Sequence, residues 1–121
     1  MFEAGFDKSK NLLHIAYTGR IEAVEVKKCL EQLQLLVPEL KPGFRLLSDL
    51  TALEAMETAA VPYIRQMMDL CNKGGVSMVV RVIPDPHKDI GLNILSLFHY
   101  RHDLQIVTCK TLEEAMKALG N

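Results

Sequence analysis

Hydrophobic positions recur along this chain with two periods, and the switches between them outline its elements. MFEAGF and NLLHIAYTG read as two short strands separated by the polar turn DKSKN, because Leu13, Ile15 and Tyr17 alternate with Leu12, His14 and Ala16. Val26, Leu30, Leu33, Val37 and Leu40 then recur at steps of three and four, with Glu25, Lys27, Lys28, Glu31 and Gln34 on the other side. That spacing predicts an amphipathic helix, ended by Pro38 and the Lys41-Pro42-Gly43 cluster. Phe44 to Leu50 has few polar interruptions, as expected of a strand covered on both faces. A second helix is predicted from about Thr58, with Val61, Ile64, Met68 and Cys71 on one face. Pro62 falls in its first turn, where a missing N–H does least harm, and Gly74-Gly75 closes it.

Val76 to Ile83 is the clearest strand, β-branched and expected to be central. The loop Pro84 to Asp89 follows, then a helix from about Asp89 through Ile94, Leu97 and Phe98. Gln105 to Cys109 is a short last strand. Thr111 and Glu114 form a capping-box pattern opening a final helix expected to bury Leu112, Ala115, Met116 and Leu119. The order β-β-α-β-α-β-α-β-α predicts one α/β domain over residues 1–121, a mixed sheet of about five strands packed by about four helices.

Composition narrows the class. Of 121 residues, 49% are apolar and 24% charged, enough to fill one core. With 14 basic and 15 acidic residues, the net charge of −1 supplies no excess of cations for a phosphate backbone, so no nucleic-acid partner is expected. Cys29, Cys71 and Cys109 are odd in number and widely spaced, which fits neither a disulfide framework nor a zinc pattern, and a reducing cytoplasm is expected. The N-terminal MFEAGFDKSKN has no basic segment leading into a long apolar run, and no apolar stretch approaches the ~20 residues of a membrane span. A chain opening on Met1 and closing at Asn121 is expected to be a complete small protein.

Candidate chemistry is sparse. His99, His102 and Asp103 are the nearest approach to a metal cluster, but a zinc site usually needs a third firm ligand and a supporting shell, and a polar helix end explains them as well. Neither a metal nor a cofactor is expected, and no nucleophile motif of the G-x-S-x-G kind occurs. Asp85 and His87 lie in a loop after the central strand, where α/β sheets often bind ligands; a proline-stiffened turn with an N-cap at Asp89 is the alternative. Gly74-Gly75 follows a helix and precedes a strand, the reverse of a phosphate loop. Thr58 stands at the predicted start of the second helix, either as an N-cap or as an acceptor of phosphate, whose charge the adjacent Glu57 would oppose.

Several segments, in order, resemble STAS domains, the group named for sulfate transporters and anti-sigma-factor antagonists, and their SpoIIAA-like relatives. Tyr17 to Glu22 resembles the family's strand-then-glycine segment, and Leu47 to Thr51 the strand that enters its regulatory loop. Gly74 to Val80 is similar to its Gly-Gly turn and following strand, and Leu112 to Leu119 to its closing helix. Antagonist members carry an Asp-Ser-Ser-Gly-Leu motif in which a partner kinase phosphorylates a serine. Laid on this chain, that motif falls on Glu57, Thr58, Ala59, Ala60 and Val61, so Thr58 takes the acceptor's place. The second serine and the glycine are replaced, Pro62 is a further departure, and Cβ of Ala60 is expected to thicken the surface a partner approaches.

The resemblance implies a non-enzymatic regulatory or protein-interaction domain. Its partner would be a kinase or an anti-sigma factor, docked on a loop that includes Asp49, Thr51, Glu57, Thr58, Ala60 and Val61. The alternative is a small-molecule or lipid-binding module on the same fold, with Asp85 and His87 or a groove lined by Met56, Val61, Met67 and Met68 as its site. The apolar cluster Leu95, Leu97, Phe98 and Tyr100 leads to the expectation of a homo-oligomer, since one helix cannot turn all four into its own core.

Overall fold

The computed structural model describes residues 1–89, 91–101 and 103–120, apart from the side chains of Asn93 and Phe98. The chain opens with a hairpin, β1 (Phe2–Asp7) and β2 (Leu12–Tyr17). Its turn is held by Asp7 Oδ1, which accepts from the Ser9 N–H at 3.0 Å and the Lys10 N–H at 3.2 Å. Asn11 sits at φ 50°, a left-handed conformation that asparagine tolerates. A short strand β3 (Gly19–Ile21) leads into α1 (Ala23–Leu36), which ends in a 3-10 turn over Val37–Glu39, with Pro38 at the point where the α-helical ladder stops.

Next come β4 (Arg45–Asp49), β5 (Leu53–Met56), a 3-10 turn over Thr58–Ala60, and α2 (Val61–Lys73). The rest is β6 (Met78–Val82), a 3-10 turn over Pro86–Lys88, α3 (Leu92–His99), β7 (Gln105–Cys109) and α4 (Leu112–Ala118). Five strands form the main sheet in the order β1-β2-β4-β6-β7. Only β1 runs antiparallel to its neighbour, so the predicted mixed sheet is present. β3 and β5 form a separate two-stranded parallel ribbon that the hydrophobic pattern does not reveal.

The alternation in β2 sorts the two layers. Leu13, Ile15 and Tyr17 join Leu46 and Val79 in a core shared with Val26, Leu33, Met67 and Met68 of α1 and α2. Leu12 belongs to the other face, where Leu47, Val80 and Val82 pack with Ala115 and Leu119. α1, α2 and α3 therefore cover one face and α4 covers part of the other. Leu112 does not join that packing: it is 46% exposed, at the first helical position after Thr111, where the helix begins. The turn between α2 and β6 is tight enough to demand glycine. A Cβ on Gly74 would lie 2.6 Å from Val37 Cγ1, and Gly75 adopts φ +90°.

The third helix starts later than expected, at Leu92, since Gly91 turns left-handed ahead of it at φ 80°. Asp89 still serves that helix, its Oδ1 accepting from the Leu92 N–H at 2.7 Å. The expected apolar cluster is divided. Tyr100 is buried and Leu95 half-buried, Leu97 and its neighbour Ile94 are 69% and 64% exposed, and the side chain of Phe98 lies outside the described residues.

Candidate functional site

Parallel strands bring their carboxyl ends to one edge, and the loops after β4 and β6 meet there. Lys88 Nζ donates to the Leu53 carbonyl at 3.1 Å, which ties the turn containing Asp85 and His87 to the segment leading to Thr58. The two candidate regions of the sequence thus form one edge of the molecule.

Thr58 is exposed and begins the 3-10 turn ahead of α2. The cap position of that turn belongs to Glu57, and no hydrogen bond of the Thr58 hydroxyl is found among the described residues. An N-cap role for Thr58 is therefore not what the geometry shows. Glu57 instead reaches across to α1, its Oε1 accepting from the Ala23 N–H at 2.7 Å, while its own N–H donates to Ile21 O at 3.0 Å. A carboxylate at a helix N-terminus faces the positive end of the dipole. The acid next to Thr58 is thereby turned toward a helix end. Arg20, Glu22, Ala55, Met56 and Glu57 border a shallow surface depression on this side.

The other loop residues have local duties. Asp49 is half-buried and its Oδ1 accepts from both the N–H and the hydroxyl of Thr51, which closes the turn after β4. Ala60 is fully buried, so its Cβ fills core space and does not thicken a partner-facing surface; Val61 is half-buried. Asp85 and His87 are exposed, and Asp85 Oδ1 accepts from the His87 N–H at 3.0 Å, as in a capped turn.

The described members of the histidine cluster have other partners. His99 Nδ1 lies 3.4 Å from Asp69 Oδ1 on α2, Asp103 pairs with Arg101 at 3.6 Å, and His102 lies outside the described residues. Among the described residues no group of three or more His, Cys, Asp or Glu side chains is placed to hold a metal. All three cysteines are buried and free. Tyr17 donates to Cys29 Sγ at 3.7 Å, and burial pushes the Cys29 thiol up to about 11 and Cys71 to about 12.

Beneath α2 lies a cavity of about 50 Å³. Met56, Ile64, Met67 and Met68 supply apolar wall, with Ser48, Arg81 and Tyr100 as polar members. Three of the methionine positions picked out in the sequence line it; Val61 does not. Arg81 is only 2% exposed, and its Nη2 bonds to Ser96 Oγ, which in turn donates to Leu92 O at 2.6 Å. Burial lowers the Arg81 pKa, while the charges of Tyr100 and Asp89 raise it. Ser48 and Arg81 escaped the sequence reading. The signal was present, because each is the polar residue on the face of its strand that otherwise carries Leu46 or Val79.

An α/β layer with this strand order and these helices is a SpoIIAA-like, or STAS, fold. The chain is similar to an uncharacterised DUF3478-family protein with a SpoIIAA-like fold from Shewanella loihica PV-4, at TM-score 0.74 and 13% identity over 98% of this chain and 93% of that one. It is similar to the anti-sigma factor antagonist SpoIIAA in its unphosphorylated form, at TM-score 0.66 and 14% identity over 100% and 99% of the two chains. It is also similar to an anti-sigma factor antagonist from Mycobacterium paratuberculosis, at TM-score 0.63 and 17% identity over 100% and 96%. At these identities the likeness is one of fold. No family model matches the chain, and no curated protein sequence matches it. None of the described helices is long and apolar enough to cross a membrane.

Proposed function

We propose that this chain is a non-enzymatic regulatory module that docks a protein partner, a kinase or an anti-sigma factor, on the edge formed by Thr51, Glu57 and Thr58, with Thr58 as phospho-acceptor. The reading rests on one observation: Thr58 is exposed at the turn that opens α2, on a fold shared with anti-sigma factor antagonists. A phosphate there adds about −1.5 to −2 charge beside the Arg20-Glu22-Glu57 depression and changes what docks on it. The three buried thiols fit a reducing, cytoplasmic setting. The test is incubation of the chain with a kinase encoded beside it, followed by phosphothreonine mapping. Label on Thr58 that disappears in Thr58→Ala supports the reading; label elsewhere, or none, overturns it.

A second reading, small-molecule binding, is favoured by a separate observation, the small, mostly apolar cavity beneath α2.

A further inference from the structure

Among the described strands, every one at a sheet edge carries a charge except β7. β1 bounds the main sheet on one side and has Glu3 and Asp7. β3 and β5, the edges of the small ribbon, have Arg20 and Glu54. A charge on an edge strand discourages a further strand from pairing with it. β7 bounds the main sheet on its other side, and its sequence Gln-Ile-Val-Thr-Cys has no charge, proline or glycine. Its register with β6 runs from Gln105 to Cys109 without a bulge. Gln105 and Thr108 are exposed, Ile106 and Val107 half-buried.

The direction of the β7 peptide groups follows from one bond. Cys109 O accepts from the Ile83 N–H at 2.8 Å, so Cys109 turns its peptide groups toward β6. By the alternation of a strand, Gln105 and Val107 do the same, while Ile106 and Thr108 turn N–H and C=O away from the sheet. No hydrogen bond of those outward groups is found among the described residues.

Two copies joined at this edge about a two-fold axis run antiparallel. Only residues with outward peptide groups can exchange bonds, which leaves few registers. Ile106 opposite itself sets Thr108 against Leu104, whose N–H already donates to Arg101 O at 3.1 Å. Thr108 opposite itself sets Ile106 against Lys110, whose N–H already donates to Glu114 Oε2 at 3.2 Å. Ile106 opposite Thr108 satisfies every outward group of both residues and places Val107 against Val107 on the axis. It also sets Lys110 of each copy beside Asp103 of the other, so opposite charges flank the pairing at both ends.

We infer that β7 is a self-association edge, to which a second copy of this chain adds antiparallel in the Ile106–Thr108 register, making one continuous sheet across the dimer. A five-residue edge buries less than the ~800 Å² per partner of a standard interface, so the dimer is weak, with Kd of about 100 µM.

The test is sedimentation velocity of the full chain from about 10 µM to about 1 mM, with amide hydrogen exchange at both ends of that range. Monomer is expected at the low end and mostly dimer at the high end, with exchange at Ile106 and Thr108 slowed about 4-fold there. Thr108→Pro removes an outward N–H and no bond within the sheet, and Thr108→Lys adds the kind of charge the other edges have. Both are expected to stay monomeric at about 1 mM. A parent chain that is monomeric at that concentration overturns the inference. So does a dimer that survives in a folded variant, or one whose Ile106 and Thr108 amides exchange at the monomer's rate. Either result places the interface elsewhere, such as the exposed Ile94 and Leu97 of α3. The exchange measurement needs no variant, so it decides the matter even where Thr108→Pro fails to fold.

Discussion

Lys88 Nζ donates to the Leu53 carbonyl oxygen at 3.1 Å across a separation of 35 residues, fastening the turn after β6 to the start of β5. β5 carries Met56 and runs directly into Glu57 and Thr58, so this bond braces the proposed docking edge from behind. Lys88→Met keeps the apolar stem and removes the donor. Stability is expected to fall by about 1 kcal/mol. Amide exchange is expected to speed up over Leu53–Met56 with little change in β2 or β4. Unaltered exchange in that segment would show that the ribbon holds itself without Lys88.

The Thr58 hydroxyl makes no hydrogen bond among the described residues and the residue is exposed, so replacing its side chain should leave the fold untouched. Thr58→Ala and Thr58→Asp are each expected to stay within about 0.5 kcal/mol of the parent in urea unfolding. Partner affinity is the quantity expected to change, in Thr58→Asp above all, because it places charge beside the Glu57 turn. A stability loss above about 1 kcal/mol in Thr58→Ala would assign the hydroxyl a capping role instead.

Gly74 and Gly75 illustrate how far the sequence is legible. Their position after a helical stripe predicts a helix stop, and α2 ends at Lys73. The periods of two and near four likewise reveal the five main strands and four helices, since those patterns follow directly from which face is buried. The ribbon of β3 and β5 was not legible. Gly19–Ile21 and Leu53–Met56 are too short to establish a period, and their pairing depends on the loops that bring them together. Ala60 was misplaced for a related reason: a 3-10 turn rotates it into the core, which an alignment to a motif cannot show. Arg81 was passed over because a charged residue in an apolar strand reads as an interruption until its register with Ser48 is known.

The same glycine pair gives a stability prediction. A Cβ at Gly74 would stand 2.6 Å from Val37 Cγ1 and 3.3 Å from Phe44 Cε1, both in the packed core. Gly74→Ala is expected to cost about 1–3 kcal/mol by overpacking. Gly43, unlike Gly74, has a left-handed φ, +92°, but nothing lies within 4 Å of its missing Cβ. Gly43→Ala should therefore show backbone strain alone, about 1–2 kcal/mol. Adding Val37→Ala to Gly74→Ala should recover part of the loss, and a purely additive double variant would rule out the contact as its cause.

Burial of Cys29 and Cys71 makes stability depend on pH in the alkaline range. Both thiols have an ordinary pKa of 9.0, and burial raises them to about 11 and about 12 in the folded chain. Between pH 9 and 11 the unfolded chain gives up these protons while the folded chain keeps them. Unfolding then gains from each rise in pH, so the stability present below pH 9 is lost progressively above it, with a limiting slope of about 1.4 kcal/mol per pH unit for each thiol. Buried Tyr17 and Tyr100 are shifted upward as well and act in the same direction once their unfolded forms ionise. Urea midpoints measured from pH 7.5 to 10 are expected to decline beyond about pH 9, and less steeply in the double variant Cys29→Ala, Cys71→Ala. Thiol labelling at pH 8 should proceed only at the rate of opening, in the folded protein, and rapidly in urea. A urea profile that stays level above pH 9, or fast labelling without urea, would mean that solvent reaches these thiols in the native fold.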